Sequence, residues 1–208
     1  LRGGGMAAAP VEVEWTIAED ELMSRTVQRG TEVAAPALGH SVHVEAAGLQ
    51  PDRWYWYQFR SGGEYSPVGR TRTTPAIGAA NDRFRFGFCS CNHYEQGYFT
   101  AYRHMADEDF DVVFHLGDYI YEYEGRDDRV RMHTYAEIES LTDYRNRYAL
   151  YKSDPDFQAI HAAAPFVVTW DDHEVDNNYA AEISERDDPV RAFLRRRANA
   201  YQAYYEHM

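Results

Sequence analysis

The chain has 208 residues and a formal net charge of −13, and 44% of its residues are hydrophobic. This length allows one large domain or two small ones, and the hydrophobic fraction is sufficient for a packed core. The acidic charge argues against a nucleic-acid partner, because phosphate backbones are bound by basic surfaces. The sequence contains no apolar run as long as a membrane span requires.

The first third of the chain has the pattern of an all-β segment. Apolar and polar residues alternate with the period of a half-buried strand, and Gly, Pro and Asp separate the runs. Strands are predicted over residues 11–17, 42–44, 55–59 and 68–73.

The most specific feature of this segment is a Leu-x-Pro-x-x-x-Tyr spacing that ends at Tyr55. It resembles the tyrosine corner of fibronectin type III domains, in which the tyrosine hydroxyl holds a chain reversal. We therefore predict a partial fibronectin type III or immunoglobulin-like all-β domain over residues 1–75. A linker of small residues is predicted at 76–82, and a second domain over 83–208.

The second domain has the pattern of α/β units. Three apolar runs alternate with helical segments, as in a sheet that is covered by helices; the runs are 84–88, 112–116 and 165–170. Helices are predicted over 97–108, from a capping box at Thr134 and Glu137 through Tyr151, over 154–163, and from Asp188 to Met208. The basic run at 191–197 is interpreted as the solvated face of the last of these helices.

Both ends have features of a piece of a longer protein. Residues 1–5 resemble neither a signal peptide nor a natural start, and the last predicted helix reaches Met208 without a stop signal. We therefore expect a fragment that is cut at both ends.

Each apolar run of the second domain is followed by side chains that can bind metal ions. The first run is followed by Cys91 and His93, the second by Asp118 and Tyr121, and the third by the Asp-Asp-His-Glu run at 171–174. Because ligands bind beyond the carboxyl ends of the strands in open α/β sheets, these side chains are expected to share one edge. A thiolate, carboxylates, a phenolate and an imidazole could together bind a highly charged metal ion.

Each of these groups also has a simpler interpretation. A cysteine at a strand end is often only a small hydrophobic residue. Gly-Asp is a common turn, Tyr121 could pack in the core, and the run at 171–174 could be a solvated loop. The acidic run is the hardest to explain without a cation, because neighbouring carboxylates repel one another.

The order of these motifs resembles the metallophosphoesterase superfamily and, in detail, its PhoD-type alkaline phosphatases. The Gly-Asp-x-x-Tyr element lies at 117–121, while Asp171 and Asp172 replace the usual Gly-Asn before His-Glu, and Cys91 replaces the usual first ligand. Both departures are features of the PhoD type. Further matching motifs lie at 40–44, 69–73, 102–104, 115–122, 147–151, 170–175 and 177–180.

The resemblance implies a fold, a reaction and a ligand set. The fold would be mixed α/β, with part of a calcineurin-like metallophosphoesterase β-sandwich flanked by helices. The reaction would be hydrolysis of phosphodiesters or phosphomonoesters with Fe3+ and Ca2+ as cofactors. Cys91 and Tyr121 would bind iron, Asp118 would bridge iron and calcium, and Asp172 would bind the second metal. His173 would stabilise charge on the transferring group or the leaving oxygen.

The resemblance also implies a secreted, extracellular or periplasmic parent protein that acts on small phosphate esters. We expect this protein to be a monomer without a nucleic-acid partner. The four ligands named above are fewer than the roughly six to eight oxygen ligands that calcium alone takes. The 208-residue piece is therefore expected to be inactive or nearly so. Two other interpretations are a non-catalytic binding module with a degraded α/β domain and a different metal hydrolase, such as a nuclease.

Overall fold

The computed structural model describes residues 6–134 and 136–208, so the predicted cut end at 1–5 lies outside the described residues. The strands are β1 (Val11–Ala18), β2 (Thr26–Ala34), β3 (Trp54–Ser61), β4 (Glu64–Tyr65), β5 (Gly69–Arg72), β6 (Phe86–Cys89), β7 (Val112–His115) and β8 (Phe166–Val168). The α-helices are α1 (Thr100–Ala106), α2 (Leu141–Lys152), α3 (Pro155–Ala163) and α4 (Val190–His207). In this part of the chain, no helix is long and apolar enough to cross a membrane.

The first sheet is antiparallel and has the order β2-β1-β3-β4, with β5 paired to β3. The sequence predicted β1, β3 and β5 but missed β2, because most residues of β2 are polar and exposed and show no clear alternation. The predicted strand at 42–44 is wrong, since these residues lie outside all strands of the described chain.

The tyrosine corner is present as predicted. Tyr55 is buried, and its hydroxyl accepts a hydrogen bond from the backbone N–H of Gln50 at 2.9 Å. This bond holds the turn that leads into β3.

The first sheet also contacts the helices. Arg70 of β5 donates through Nε to the carbonyl of Ala163 at the end of α3. The first sheet is therefore tied directly to the helices that follow it.

The second sheet is parallel and has the order β6-β7-β8. Helix α1 connects β6 to β7, and α2 and α3 lie between β7 and β8. The predicted alternation of strands and helices is confirmed, and the fold is mixed α/β. Because the three strands are parallel, their carboxyl ends meet at one edge of the sheet.

Helix α2 begins at Leu141 and not near Thr134. Ser140 Oγ accepts a hydrogen bond from the Asp143 N–H at 3.2 Å, and Asp143 Oδ2 accepts one from the Ser140 N–H at 3.1 Å. This reciprocal pair is a capping box. Thr134 and Glu137 have the same spacing, so spacing alone does not identify the true start. Three tyrosines of α2, namely Tyr144, Tyr148 and Tyr151, are fully buried.

The basic run at 191–197 is not wholly solvated, which corrects the prediction for α4. Arg196 is only 7% exposed. Its guanidinium lies 2.9 Å from an Asp176 carboxylate oxygen and 3.0 Å from a Glu137 carboxylate oxygen. Both partners come from loops that are distant in sequence, so the run itself contains no signal of this burial. A buried cation with two carboxylate partners anchors α4 to the site-bearing loops.

The core lies between the helices and one face of the second sheet, and much of it is aromatic. Its largest members include Tyr119, Tyr148, Phe157 and Phe193. The opposite face of the same sheet is open, and Phe86, Phe88 and Val167 are each more than half exposed.

Candidate metal centre

The candidate metal centre lies at the carboxyl edge of the second sheet, where the loops after β6, β7 and β8 meet. The Cys91 N–H donates to the Gly117 carbonyl at 3.2 Å, which ties the first loop to the second. Gly117 has φ +106°, and a Cβ there would lie 2.7 Å from the Asp171 backbone nitrogen. Only glycine satisfies both constraints, so the Gly-Asp turn brings the second loop against the third.

Asp118 is the most buried carboxylate of the predicted ligand set, with 7% exposure. One oxygen, Oδ2, accepts a hydrogen bond from the Tyr121 hydroxyl at 3.0 Å. The other, Oδ1, is buried and has no hydrogen-bond partner among the described residues. A buried carboxylate oxygen without a donor is costly, and a bound cation would compensate it.

Tyr121 connects Asp118 to Cys91. Burial, the Asp118 carboxylate and Cys91 all raise the pKa of the Tyr121 hydroxyl, and Cys91 lies within hydrogen-bonding reach of it. Cys91 is a free and exposed thiol at φ +56°, and Asp118 also has a positive φ of +53°. Non-glycine residues in this conformation are uncommon and tend to mark functional sites.

Asp172 and His173 complete the group from the third loop. Metal-ligating atoms of Asp118, Asp172 and His173 all lie within 4.8 Å of one another. The His173 Nδ1 lies 2.8 Å from Oε2 of the fully buried Glu122. Burial opposes protonation of His173, but the hydrogen bond to Glu122 and the nearby carboxylates outweigh it and raise the pKa of the imidazole.

Glu174 has a supporting position in this arrangement. Its carboxylate accepts hydrogen bonds from the backbone N–H groups of Tyr119 and Asp171. Burial raises its pKa to about 7. Glu174 therefore joins the loops after β7 and β8 and faces backbone donors, whereas Asp118 has an oxygen free for a ligand.

The donor chemistry fits the cations that the sequence resemblance implies. Carboxylates such as Asp118 and Asp172 suit calcium, whereas the Cys91 thiol and the Tyr121 phenol suit a more polarising transition metal. The Asp118 side chain is close to both types of ligand, because it accepts the hydrogen bond of the Tyr121 hydroxyl and has a ligand atom within 4.8 Å of one of Asp172. The five predicted site residues are thus brought to one sheet edge, with Cys91 and Tyr121 joined to the acidic group through the Tyr121–Asp118 hydrogen bond.

Comparison with known proteins identifies the family of this chain. Residues 86–208 match the family model described as PhoD-like phosphatase, and residues 3–75 match the model of its N-terminal domain. The chain belongs to the PhoD-like phosphatase family. It is 57% identical over 213 residues to alkaline phosphatase D of Bacillus subtilis (strain 168), which covers 100% of this chain and 36% of that relative.

A solved structure described as "Structure of PhoD" has the same fold with a TM-score of 0.97 and 57% identity. The match covers 100% of this chain and 41% of that structure. The chain therefore spans well under half the length of these PhoD relatives.

The sequence assigned no role to two residues that lie beside the predicted ligands. Glu122 holds His173, and its second oxygen accepts from the Asn177 N–H at 2.8 Å. Asn92 is buried, and its side-chain amide donates to the Tyr119 carbonyl at 3.1 Å. Both directly follow predicted ligands, Tyr121 and Cys91, and this adjacency was the available signal. Their partners depend on loop geometry, which spacing does not encode.

Proposed function

We propose that this chain carries part of the catalytic machinery of a phosphoric ester hydrolase of the alkaline phosphatase D type. The substrates would be phosphodiesters or phosphomonoesters. The observation that most supports this proposal is the buried Asp118 carboxylate, which has one unpaired oxygen and offers a ligand atom within 4.8 Å of ligand atoms of Asp172 and His173. Membership of the PhoD-like phosphatase family supports the same reaction class.

The proposed ligand set follows the sequence resemblance. Cys91 and Tyr121 would bind Fe3+, Asp118 would bridge it to Ca2+, and Asp172 would bind the second cation. When bound, these cations supply polarisation of the phosphoryl group and an acidified water. The hydrogen bond between Tyr121 and Asp118 supports this assignment, because it places the two side chains close enough to bind the same cation.

His173 has the proposed role of stabilising charge on the reacting phosphoryl group or on the leaving oxygen. Glu122 holds the ring through Nδ1, so Nε2 is the ring nitrogen that remains for the substrate. The raised pKa of His173 favours the form that can donate a proton from Nε2. Glu122 thus holds the proton donor in one orientation.

The test is hydrolysis of aryl phosphomonoesters and bis-aryl phosphodiesters by the protein expressed from its complete gene with iron and calcium. Asp118→Asn should lower kcat by more than about a hundredfold and should release metal, because a proposed bridging ligand is lost. Asp82→Asn, at an exposed residue outside the site, is the control. A metal-free, inactive wild-type protein would rule out the proposed function and leave the binding-module interpretation.

We also propose that the 208-residue chain has little or no turnover by itself. It spans 36% of its B. subtilis relative, and the four proposed ligands fall short of the six to eight oxygens that one calcium ion takes. Phosphodiester turnover by this chain that Asp118→Asn abolishes would contradict the proposal. The family resemblance further supports a parent protein that acts outside the cytoplasm.

A further inference from the structure

A cavity of about 480 Å³ adjoins the candidate metal centre. Tyr121 and His173 line it on the side of the centre, and His93 and Tyr123 continue its wall. A substrate whose phosphoryl group lies at the centre must place its ester substituent nearby. The cavity is large enough for a small substituent and is directly connected to the centre through Tyr121 and His173.

His93 presents a hydrogen-bond donor in this cavity. Its Nδ1 accepts a hydrogen bond from the Glu95 backbone N–H at 3.3 Å and so caps the short helical turn Tyr94–Gln96. An acceptor nitrogen carries no proton, so the neutral ring is protonated on Nε2. Within the described part of the chain, this Nε2–H has no hydrogen-bond acceptor, although the ring lines the cavity.

The His93 ring is held in position by its aromatic neighbours. Its centroid lies 4.3 Å from the Tyr121 ring and 5.3 Å from the His133 ring. Tyr121 is at the same time 4.2 Å from the His173 ring. The proposed ligand Tyr121 therefore contacts two imidazoles, one assigned to the phosphoryl group and one without a role.

The charges of the cavity favour an uncharged occupant. Three arginines and three glutamates line it, and each arginine lies close to a carboxylate: Arg126 at 3.2 Å and Arg129 at 3.6 Å share Asp128, and Arg186 pairs with Glu137 at 2.7 Å. Arginines that are already neutralised give little binding energy to a second anionic group. A neutral, oxygen-bearing substituent fits the cavity better than a polyanion.

We propose that this cavity binds the ester substituent of the substrate and that the His93 Nε2–H donates a hydrogen bond to an uncharged oxygen of that substituent. This proposal rests on the proposed phosphoric ester hydrolysis and extends it to substrate selection. His93 is then a specificity-determining residue that touches the substrate. The preferred class is phosphate esters of alcohols that carry an ether, hydroxyl or carbonyl oxygen.

The test compares 2-methoxyethyl phosphate with n-butyl phosphate, which has a methylene group in place of the ether oxygen. The protein expressed from its complete gene and loaded with metal should prefer the ether by about threefold to tenfold in kcat/KM, the range for one neutral hydrogen bond. His93→Asn retains an acceptor at the Nδ1 position for the turn but removes the Nε2 donor, so it should abolish the preference. His93→Gln places an amide N–H near the Nε2 position and should retain part of it.

A purely structural role for His93 predicts the opposite order, because asparagine is a favourable capping residue and glutamine is not. Equal preference in the wild type and His93→Asn, with loss only in His93→Gln, would therefore overturn the proposal. So would loss of iron or calcium from His93→Asn, since His93 would then act as a ligand. His104→Gln, at an exposed histidine of α1, should behave as wild type. Hydrolysis of both esters without preference overturns this proposal alone. A wild type that hydrolyses neither these esters nor the bis-aryl phosphodiesters contradicts the proposed function itself.

Discussion

At the scale of single residues, Tyr121 has surroundings that conflict with its proposed role. Burial and the Asp118 carboxylate raise the pKa of its hydroxyl, whereas a phenolate ligand must lose that proton. A multivalent cation held by Asp118 and Tyr121 would reverse this balance, because it would neutralise the carboxylate and stabilise the phenolate. We therefore expect metal binding to displace the Tyr121 hydroxyl proton that now bonds Asp118.

Tyr121→Phe tests this exchange directly. In the metal-loaded protein, the substitution should remove the visible phenolate-to-iron charge-transfer band and should lower the iron content, because one ligand is lost. Tyr123→Phe is the matched control, since Tyr123 lines the same cavity but is not in the ligand set. An absorption spectrum and metal analysis measure both effects. A band that persists in Tyr121→Phe would show that this tyrosine does not bind the iron.

Glu122→Gln separates the holding of His173 from the binding of metal. The amide replaces the charged partner of Nδ1 and weakens the orientation and proton affinity of the ring. We expect kcat to fall by about tenfold to a hundredfold while the metal content stays at the wild-type level. Steady-state kinetics and metal analysis distinguish this result from simple destabilisation. A change in metal content in proportion to kcat would indicate that Glu122 supports the ligands and not His173.

At the scale of elements, the start of α2 offers a comparison within one chain. Ser140 forms the capping box with Asp143, whereas Thr134, at the predicted start, lies outside any helix. Ser140→Ala should lower the free energy of unfolding by about 1 kcal/mol, because the first turn loses an acceptor for its N–H groups. Thr134→Ala should change it by less than about 0.5 kcal/mol. Equal effects in urea denaturation would contradict this assignment of the cap.

The sequence predicts elements where local chemistry decides them. Asp154 before Pro155 marks the start of α3, and its Oδ1 accepts from the N–H groups of Asp156 and Phe157. The tyrosine corner at Tyr55 is likewise a local motif. Strand β2 is different, because a polar strand at an edge forms by pairing with β1 and carries little pattern of its own.

The same distinction applies to the candidate site. The predicted ligands could be found from the sequence, because each of them follows a predicted strand. Parallel strands bring their carboxyl ends to one edge, so these residues were expected to meet there. The partners Glu122 and Asn92 were not assigned, because loop geometry determines their hydrogen bonds. The burial of Arg196 was missed for a similar reason, since its carboxylate partners come from distant loops. A single sequence therefore does not predict hydrogen bonds and ion pairs between residues that are distant along the chain.

At the scale of the whole molecule, the two faces of the second sheet differ. One face is packed against the helical core, whereas Phe86, Phe88 and Val167 on the other are exposed by 52%, 68% and 53%. Adjacent exposed aromatic and aliphatic residues usually mark a surface that is covered by other protein. This agrees with a chain that spans 36% and 41% of its PhoD relatives.

Four histidines of the described chain, two of them buried and two partly buried, make the folded state sensitive to acid. Burial lowers the pKa of His115 and His207 to about 4 and that of His133 and His161 to about 3. The unfolded chain binds protons at histidine near pH 6.5, so between about pH 6.5 and pH 4 it binds more protons than the folded protein. Stability must therefore fall as the pH falls through this range. Glu174 opposes the trend, because its raised pKa makes the folded state bind an extra proton between about pH 4.5 and 7.

His161→Phe isolates one of these four contributions. The His161 ring stacks on Phe166 at 3.9 Å, and its Nε2 bonds the Tyr119 hydroxyl at 2.8 Å, so phenylalanine keeps the packing but loses this partner. At pH 7 the variant should be less stable by about 1 kcal/mol. As the pH falls from 6.5 to 4, the free energy of unfolding of the wild type should fall by up to about 1.4 kcal/mol per pH unit more than that of the variant. The stability advantage of the wild type should therefore shrink and then reverse. Urea unfolding at a series of pH values measures this slope, with His104→Gln expected to run parallel to wild type. A His161→Phe curve parallel to wild type would show that His161 does not cause the acid sensitivity.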